Sequence, residues 1–189
     1  MQPFHQRHKR RVTKVPSRRT LVLDGSLGFC VVAIVEQQGG VATCEAEDWS
    51  DTEPLLQRIN NLLPGEAERA ALTDVVVGAG PGSYSGTRVA ASAAVGIAAA
   101  LALPLQESPS DRALWQAIQR SFSIPLGTRE SLEVAESGSL VVSREAASPH
   151  LTREECRAVV ACALVQAAGP VVSHVTLRYP APARGSEVQ

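Results

Sequence analysis

A glycine-rich loop constrains the fold of this chain more than any other feature, because it stands between a buried strand and a helix. Residues 74–78 hold three consecutive valines, which predict a strand covered on both faces. The loop follows at residues 78–86 with the sequence GAGPGSYSG. A helix is predicted over residues 87–103, and Pro104 ends it. A strand, a glycine loop and a helix in this order indicate an α/β layer.

The loop residues alone allow two interpretations. Glycines let backbone N–H groups approach a ligand closely, and the following helix N-terminus favours negative charge, so the loop can hold a phosphate or carboxylate. The same glycines also make a tight strand-to-helix turn with close packing, and the spacing favours neither interpretation. No Gly-Lys-Ser/Thr sequence follows, and Ser83 replaces the third glycine of a dinucleotide fingerprint, which excludes both motifs. The candidate phosphate-site residues are Gly80, Gly82, Ser83, Ser85, Gly86 and Arg88.

Asp24 is a further candidate for this site, because it ends the first predicted strand in the sequence Asp24-Gly25-Ser26. A carboxylate at such a turn can hold a metal ion or orient water. It can also accept a hydrogen bond from the backbone two residues on, as in an Asx-turn, and the sequence favours this structural role.

The apolar patterns place the loop within a mixed α/β fold. An antiparallel meander is predicted with strands at residues 20–24, 29–36 and 40–46. A helix over 53–63 follows the meander, and another begins at Asp111 with apolar residues as far as Phe122. Three antiparallel strands followed by helix, strand and helix match the first lobe of the actin-like ATPase (ribonuclease H-like) fold, whose mixed sheet adds a parallel strand to the meander.

The chain divides into four predicted segments. Residues 1–19 carry seven Lys or Arg side chains and no acid, which leaves 11 basic against 19 acidic side chains in the remainder. This predicts a disordered basic arm, with an RNA contact or an organelle transit peptide as the alternatives. Residues 20–122 form the first actin-like lobe, 123–179 a reduced second lobe, and 180–189 a frayed proline-rich tail. The predicted elements of the second lobe are a hairpin at 132–134 and 140–142, a helix from Thr152 and a strand at 171–178.

The helix after the loop has no charged residue from Val89 to Leu103. A helix at a protein surface normally has a polar face, so this composition predicts that both sides are covered. Ser92, Gly96 and Ala100 recur every four residues and let another helix approach closely. The run is shorter than the about 20 residues that a membrane span needs, so a subunit interface is the preferred interpretation.

Cysteine and histidine form no recognisable site in this sequence. The four cysteines include no C-x-x-C pair, which predicts free thiols in a reducing cytoplasm, at Cys30, Cys44, Cys156 and Cys162. The histidines show neither H-x-x-x-H nor H-E-x-x-H spacing, so no metal site and no Ser-His-Asp triad is predicted. The sequence has no apolar signal segment, and a cytoplasmic protein without a membrane anchor is expected.

The motifs described so far resemble the TsaB (YeaZ) family, whose members are non-catalytic relatives of TsaD in tRNA threonylcarbamoyladenosine synthesis. The family carries a Gly-Pro-Gly-Ser-Phe/Tyr-Thr/Ser-Gly-x-Arg loop, and residues 80–88 are GPGSYSGTR. Its first strand ends in an Asp-Thr-Ser-like turn, where Gly25 stands here in place of the usual Thr. A Tyr-Leu-Arg-like strand near the end is similar to residues 176–178. The resemblance covers about residues 20–115 and, more weakly, 174–180.

The resemblance implies a scaffold subunit without catalytic residues of its own. It implies a heterodimer with a TsaD-like subunit through the first-lobe helices, a TsaE-like ATPase as a further partner, and an indirect relation to tRNA. A homodimer is the alternative for the isolated chain. ATP is expected on the partner, and no cofactor or metal on this chain. Mapped onto this sequence, the interface residues are Leu56, Ile59, Leu63, Val89, Ser92, Ala93, Gly96 and Ala100.

Two other functions stay open from the sequence. The chain can be an ATP-binding kinase-like or acyl-transfer enzyme that uses the glycine loop, although the stretch at 124–173 is short for the second lobe of such an enzyme. It can also be a degenerate paralogue without a role in the pathway. Tight binding of ATP by the chain alone would indicate the enzyme, and the absence of a TsaD partner would indicate the paralogue.

Overall fold

The computed structural model describes residues 17–28, 30–38, 41–46, 53–126, 130–143, 148–150 and 153–179. Within them a mixed five-stranded sheet is formed by β1 (Arg18–Asp24), β2 (Val31–Gln38), β3 (Val41–Ala46), β4 (Asp74–Gly78) and β5 (Leu105–Ser108). Its strand order is β3-β2-β1-β4-β5. The first three strands pair antiparallel, whereas β4 pairs parallel with both β1 and β5. The predicted meander with an added parallel strand is confirmed.

Helices cover both faces of the sheet because its central strands are apolar on both faces. Leu21, Leu23 and Val77 pack with α1 (Leu55–Leu62) and α3 (Tyr84–Ala100), and the short α2 (Glu66–Ala70) leads from α1 into β4. The alternate residues Val22 and Val76 point to the other face and share a core cluster with α4 (Ser110–Ile118) and α5 (Arg153–Gln166). Alternation along the strands thus produces a three-layer arrangement, with the glycine loop at the carboxyl end of β4.

A smaller antiparallel sheet packs on the face that carries α4. It consists of β6 (Phe122–Pro125), β7 (Glu130–Ala135) and β8 (Gly138–Ser143), in the order β6-β7-β8. Phe122 and Leu132 are fully buried in the same cluster as Leu114 and Leu164. The residues predicted as a reduced second lobe therefore share one continuous core with the five-stranded sheet.

Several element boundaries differ from those predicted. β1 begins at Arg18, whose guanidinium pairs with Asp74, so the end of the predicted basic arm lies inside the sheet. Helix α4 ends at Ile118 because Gln119 adopts a left-handed conformation with φ 56, and its N–H bonds to the carbonyl of Trp115. Phe122 is consequently the first residue of β6 instead of the last apolar residue of α4.

A strand was predicted at residues 171–178, and this prediction is wrong. The segment makes one bridge, between Val171 and Gln106, and then bends at residues 173–174. Beyond the bend the segment donates separate hydrogen bonds. The N–H of Thr176 donates to the Glu107 side chain, and the N–H of Arg178 donates to the carbonyl of Ala79. These bonds replace a continuous ladder, and they bring the segment over the glycine loop.

The end of α3 gives a first prediction, for Ala102→Gly. Ala102 is exposed and has φ 51, and the N–H of Leu103 bonds back to the carbonyl of Ala98 at 2.8 Å, which is the pattern of a left-handed C-cap. Glycine adopts this conformation without the steric cost that alanine carries, so the variant gains roughly 1 kcal/mol in the free energy of unfolding. Urea unfolding measures the gain, and an unchanged or lower free energy would contradict the assigned cap.

Candidate functional site

The glycine loop packs directly against the turn that joins β1 to β2. A Cβ atom built on Gly82 would lie 2.0 Å from the carbonyl oxygen of Ser26. Cβ atoms on Gly25 and Gly86 would each lie 2.2 Å or less from the other residue's carbonyl oxygen. These distances are far below van der Waals contact, so the two turns are close enough that only glycine fits at all three positions.

The loop also directs several of its backbone N–H groups at the protein itself. The N–H of Ser83 donates to the Ser26 carbonyl at 2.8 Å, and that of Gly80 donates to the Ser110 hydroxyl at 3.3 Å. The Ser83 hydroxyl caps α3 by accepting from the N–H of Gly86 at 3.4 Å. Ser85 is exposed in the first turn of the helix. This geometry favours the packing interpretation of the loop over the phosphate cradle.

Asp24 is fully buried beneath the loop. One carboxylate oxygen accepts the N–H of Ser26 at 2.7 Å, which is the Asx-turn, and the other accepts the hydroxyl of Ser110 at 2.7 Å. A Cβ on Gly78 would lie 2.1 Å from this carboxylate, so the strand backbone closes the remaining side. Burial raises the pKa of Asp24, and the hydrogen bonds from Ser26 and Ser110 partly oppose this rise.

The raised pKa of Asp24 predicts a pH effect that Asp24→Asn removes. The native state holds the Asp24 proton more tightly than the unfolded chain, so the wild-type protein loses stability as pH rises above the ordinary value of 3.8 toward the native pKa. Asn keeps an oxygen for the N–H of Ser26 and offers an N–H to Ser110. The free energy of unfolding of the wild type, measured in urea from acid to neutral pH, should fall relative to that of the variant. Parallel pH profiles for the two proteins would contradict this.

Arg88 is exposed and lies over a tyrosine instead of pointing into the loop. Its guanidinium carbon is 3.9 Å from the centroid of the Tyr84 ring, and its Nε donates to the hydroxyl of Tyr179 at 3.1 Å. The two rings are 5.0 Å apart between centroids. This hydrogen bond raises the pKa of Arg88. The sequence contains two tyrosines in all, and both lie in this cluster.

An apolar groove of about 690 Å³ separates α1 from α3 on the outer surface. Leu56 and Val89 line it with 62% and 56% of their surfaces exposed, which is unusual for large apolar side chains. Gly96 also lines it, and a Cβ atom added at this glycine would have no atom within 4 Å, so the space above it is open. The groove thus presents a broad apolar surface on two neighbouring helices.

The predicted interface residues fall into two groups in the structure. Leu56, Val89, Ser92, Gly96 and Ala100 are exposed, and Ala93 is half-buried at the edge of the groove. Ile59 and Leu63 are buried in the core under α1, where a partner does not reach them. The other side of α3 packs on the sheet through buried residues, which are Thr87, Ala90, Ala91, Ala94 and Ala98. One side of the charge-free helix is therefore covered within the chain, and the other is open.

Other predicted features are placed as follows. Cys30, Cys44 and Cys162 are partly buried and form no disulfide bond within the described residues. Burial raises the pKa of Cys30 to about 12, and the side chain of Cys156 lies outside the described residues. Within the described ranges, no three His, Cys, Asp or Glu side chains are grouped to hold a metal ion. None of the helices in those ranges combines the length and apolar character that a membrane crossing requires.

The sequence interpretation missed a polar cluster around Asp111. This carboxylate is buried, and it accepts hydrogen bonds from Arg178 at 2.8 Å and from the Ser139 hydroxyl at 2.7 Å. The three residues belong to α4, the C-terminal stretch and β8, which are far apart in sequence. An acid at the first turn of a helix predicts no such partners, so sequence alone gave no signal for the cluster.

Comparison with known proteins gives one family match. Residues 34–120 match the family described as TsaD: tRNA N6-adenosine threonylcarbamoyltransferase, which is slightly less than half of the chain. No match was found among the curated proteins.

Solved structures of low similarity cover a larger part of the chain. YeaZ from Pseudomonas aeruginosa is 22% identical with a TM-score of 0.46, over 68% of this chain and 66% of that one. An uncharacterized protein from Pseudomonas aeruginosa with similarity to the peptidase YeaZ is 22% identical with a TM-score of 0.45, over 70% and 67% of the two chains. RuvC of Thermus thermophilus is 15% identical with a TM-score of 0.33, over 53% and 67%. The chain spans just under two thirds of the first of these structures.

The strand order and the helices on both faces define an α/β protein of the actin-like (ribonuclease H-like) class. Within this class, the match at residues 34–120 is to the TsaD family over slightly less than half of the chain, and the glycine loop lies inside the matched residues.

Proposed function

We propose that the chain is a non-catalytic scaffold subunit of a tRNA threonylcarbamoyladenosine modification complex. It pairs with a TsaD-like subunit, and the exposed faces of α1 and α3 form the contact. The matched family supports the link to this modification, because the matched residues 34–120 contain both helices and the glycine loop.

The observation that carries the proposal is the apolar groove between α1 and α3. Isolated apolar side chains are common at protein surfaces, whereas a contiguous apolar groove usually marks a binding surface. Gly96 and Ser92 on the ridge of α3 allow a partner backbone to come close, and Leu56 and Val89 offer apolar anchors. Because residues 89–103 carry no charge, a partner with apolar helices of its own fits this surface best. In the absence of the partner, a second copy of the chain is the alternative occupant.

The absence of chemistry in this chain is part of the proposal. The buried Asp24 and the packed glycine loop support a structural role, because the loop N–H groups of Gly80 and Ser83 already bond to protein. We therefore place ATP and the transfer reaction on the TsaD-like subunit, with a TsaE-like ATPase as a further component and tRNA bound through the complex. Such a complex acts in the cytoplasm.

A reconstituted reaction tests this function. The TsaD-like subunit, the remaining complex components and unmodified tRNA are combined with and without the purified chain, and threonylcarbamoyladenosine is measured by mass spectrometry of tRNA digests. The proposal predicts modification that depends on the chain, and none from the chain with tRNA, ATP and threonylcarbamoyl donor alone. Equal modification with and without the chain would overturn it.

A further inference from the structure

A cavity of about 440 Å³ lies between α4 and the β7–β8 hairpin, on the side of the large sheet opposite the α1–α3 groove. Its volume falls in the range of about 300–1,000 Å³ that is typical of small-ligand sites. One wall comes from α4, which contributes Arg112 and Trp115, and the other is the hairpin turn around Glu136. Arg178 of the C-terminal stretch also lines the cavity.

The Asp111 cluster holds the inner wall of this cavity in place. The buried Asp111 carboxylate binds the Arg178 guanidinium and the Ser139 hydroxyl, and this joins the three segments that line the cavity. The ion pair with Arg178 also compensates the negative charge of Asp111. The wall is therefore ordered before any ligand arrives, and it adds no net charge to the cavity.

Two charges of opposite sign are left on the facing walls. Arg112 and Glu136 are both exposed, and neither side chain makes a hydrogen bond or ion pair with another residue in the described part of the chain. The half-buried indole of Trp115, on the same wall as Arg112, provides a flat apolar surface. No atom lies within 4 Å of the Cβ position of Gly138, so the space beside this residue of the hairpin is open.

We propose that this cavity binds a small zwitterionic ligand with a planar apolar group, in the way of an aromatic amino acid. A carboxylate pairs with the guanidinium of Arg112, an ammonium group pairs with the carboxylate of Glu136, and the ring stacks on Trp115. An anion alone or a cation alone satisfies one wall and leaves the other charge unpaired. This site is separate from the groove and does not depend on the proposed partner.

Calorimetric titration with three probes tests the site on the full-length chain. L-phenylalanine carries both charges, phenylpropanoate lacks the ammonium group, and phenylethylamine lacks the carboxylate. Phenylalanine should bind more tightly than either of the other two. Arg112→Gln should weaken the binding of phenylalanine and phenylpropanoate about tenfold and leave that of phenylethylamine unchanged. Glu136→Gln should weaken the binding of phenylalanine and phenylethylamine about tenfold and leave that of phenylpropanoate unchanged.

Both substitutions are at exposed positions, so the fold is retained, and circular dichroism verifies this. Arg120→Gln is the matched control, because this exposed arginine follows α4 but lies outside the cavity lining, and it should bind all probes as the wild type does. Failure of phenylalanine to bind saturably up to about 10 mM would overturn the proposal. Equal losses of affinity for all three probes in both variants would also overturn the proposal.

Discussion

Gly82→Ala lowers the free energy of unfolding by about 3 kcal/mol or more, because the added methyl group meets backbone that does not move freely. Its Cβ would lie 2.0 Å from the Ser26 carbonyl oxygen and 2.6 Å from the carbonyl carbon. Separating the loop from the β1–β2 turn also weakens the hydrogen bond from Ser83 to Ser26. For a chain of this size the loss corresponds to a fall in melting temperature of about 6–12 °C.

Gly96→Ala is the matched control, since it makes the same substitution at a glycine with open space around it. Gly96 lies in the middle of α3 and is exposed to solvent, and no atom lies within 4 Å of the added Cβ. Alanine there should raise the free energy of unfolding by roughly 0.5–1 kcal/mol, because glycine is the poorer helix former. Thermal unfolding measured by circular dichroism gives both values. If Gly82→Ala were as stable as the wild type, the close packing of the two turns would be wrong.

Leu56→Arg and Gly96→Leu should each weaken binding of the TsaD-like subunit by about 30- to 100-fold. Arg at position 56 brings a charge into an apolar contact, where burying it without a partner is costly. Leu at position 96 fills the space that allows a partner helix to approach α3. The second variant is informative because it should raise the stability of the isolated chain while it lowers the affinity.

Ala117→Arg serves as the control for these binding variants. Ala117 is exposed on α4, outside the groove and on the other face of the large sheet, so an added arginine there should leave partner affinity unchanged. Surface plasmon resonance with the immobilised partner measures all three variants. Wild-type affinity for Leu56→Arg and Gly96→Leu would place the contact elsewhere on the chain.

The sequence was sufficient to predict the antiparallel meander and the parallel strand that joins it, because β1, β2 and β4 carry apolar runs. The valines of β4 and the run at Val31–Val35 are buried on both faces, as β-branched runs in a central strand should be. β5 was missed because its four residues are Leu, Gln, Glu and Ser, a run too short and polar to be distinguished from a loop. Parallel pairing with β4 supplies its stability, and pairing of this kind is not visible locally.

The glycine loop was located correctly, but its role depends on contacts that are distant in sequence. The spacing of Gly80, Gly82 and Gly86 fits a phosphate cradle and a tight turn equally well. The structure adds Ser26 and Ser110, which occupy positions next to the loop that a ligand would otherwise take. The composition of residues 89–103 identified a charge-free helix, whereas the side of α3 that packs on the sheet is set by tertiary contacts.

The predicted interface shows the same limit at single residues. The apolar period of α1 includes Leu56, Ile59 and Leu63 without distinguishing them. In the structure α1 directs Ile59 inward, Leu63 follows its C-terminus in the core, and Leu56 faces the groove. A helix with apolar residues on both sides does not reveal which side a neighbouring sheet covers.

The most direct test of the scaffold proposal is a titration of the purified chain with its TsaD-like subunit. Calorimetry should give a stoichiometry of one to one and a dissociation constant of about 1 µM or tighter, with a negative heat-capacity change from the burial of apolar surface. Gly96→Leu should remove most of the binding signal in the same experiment. A wild-type chain that shows no binding to this subunit at about 100 µM would contradict the account.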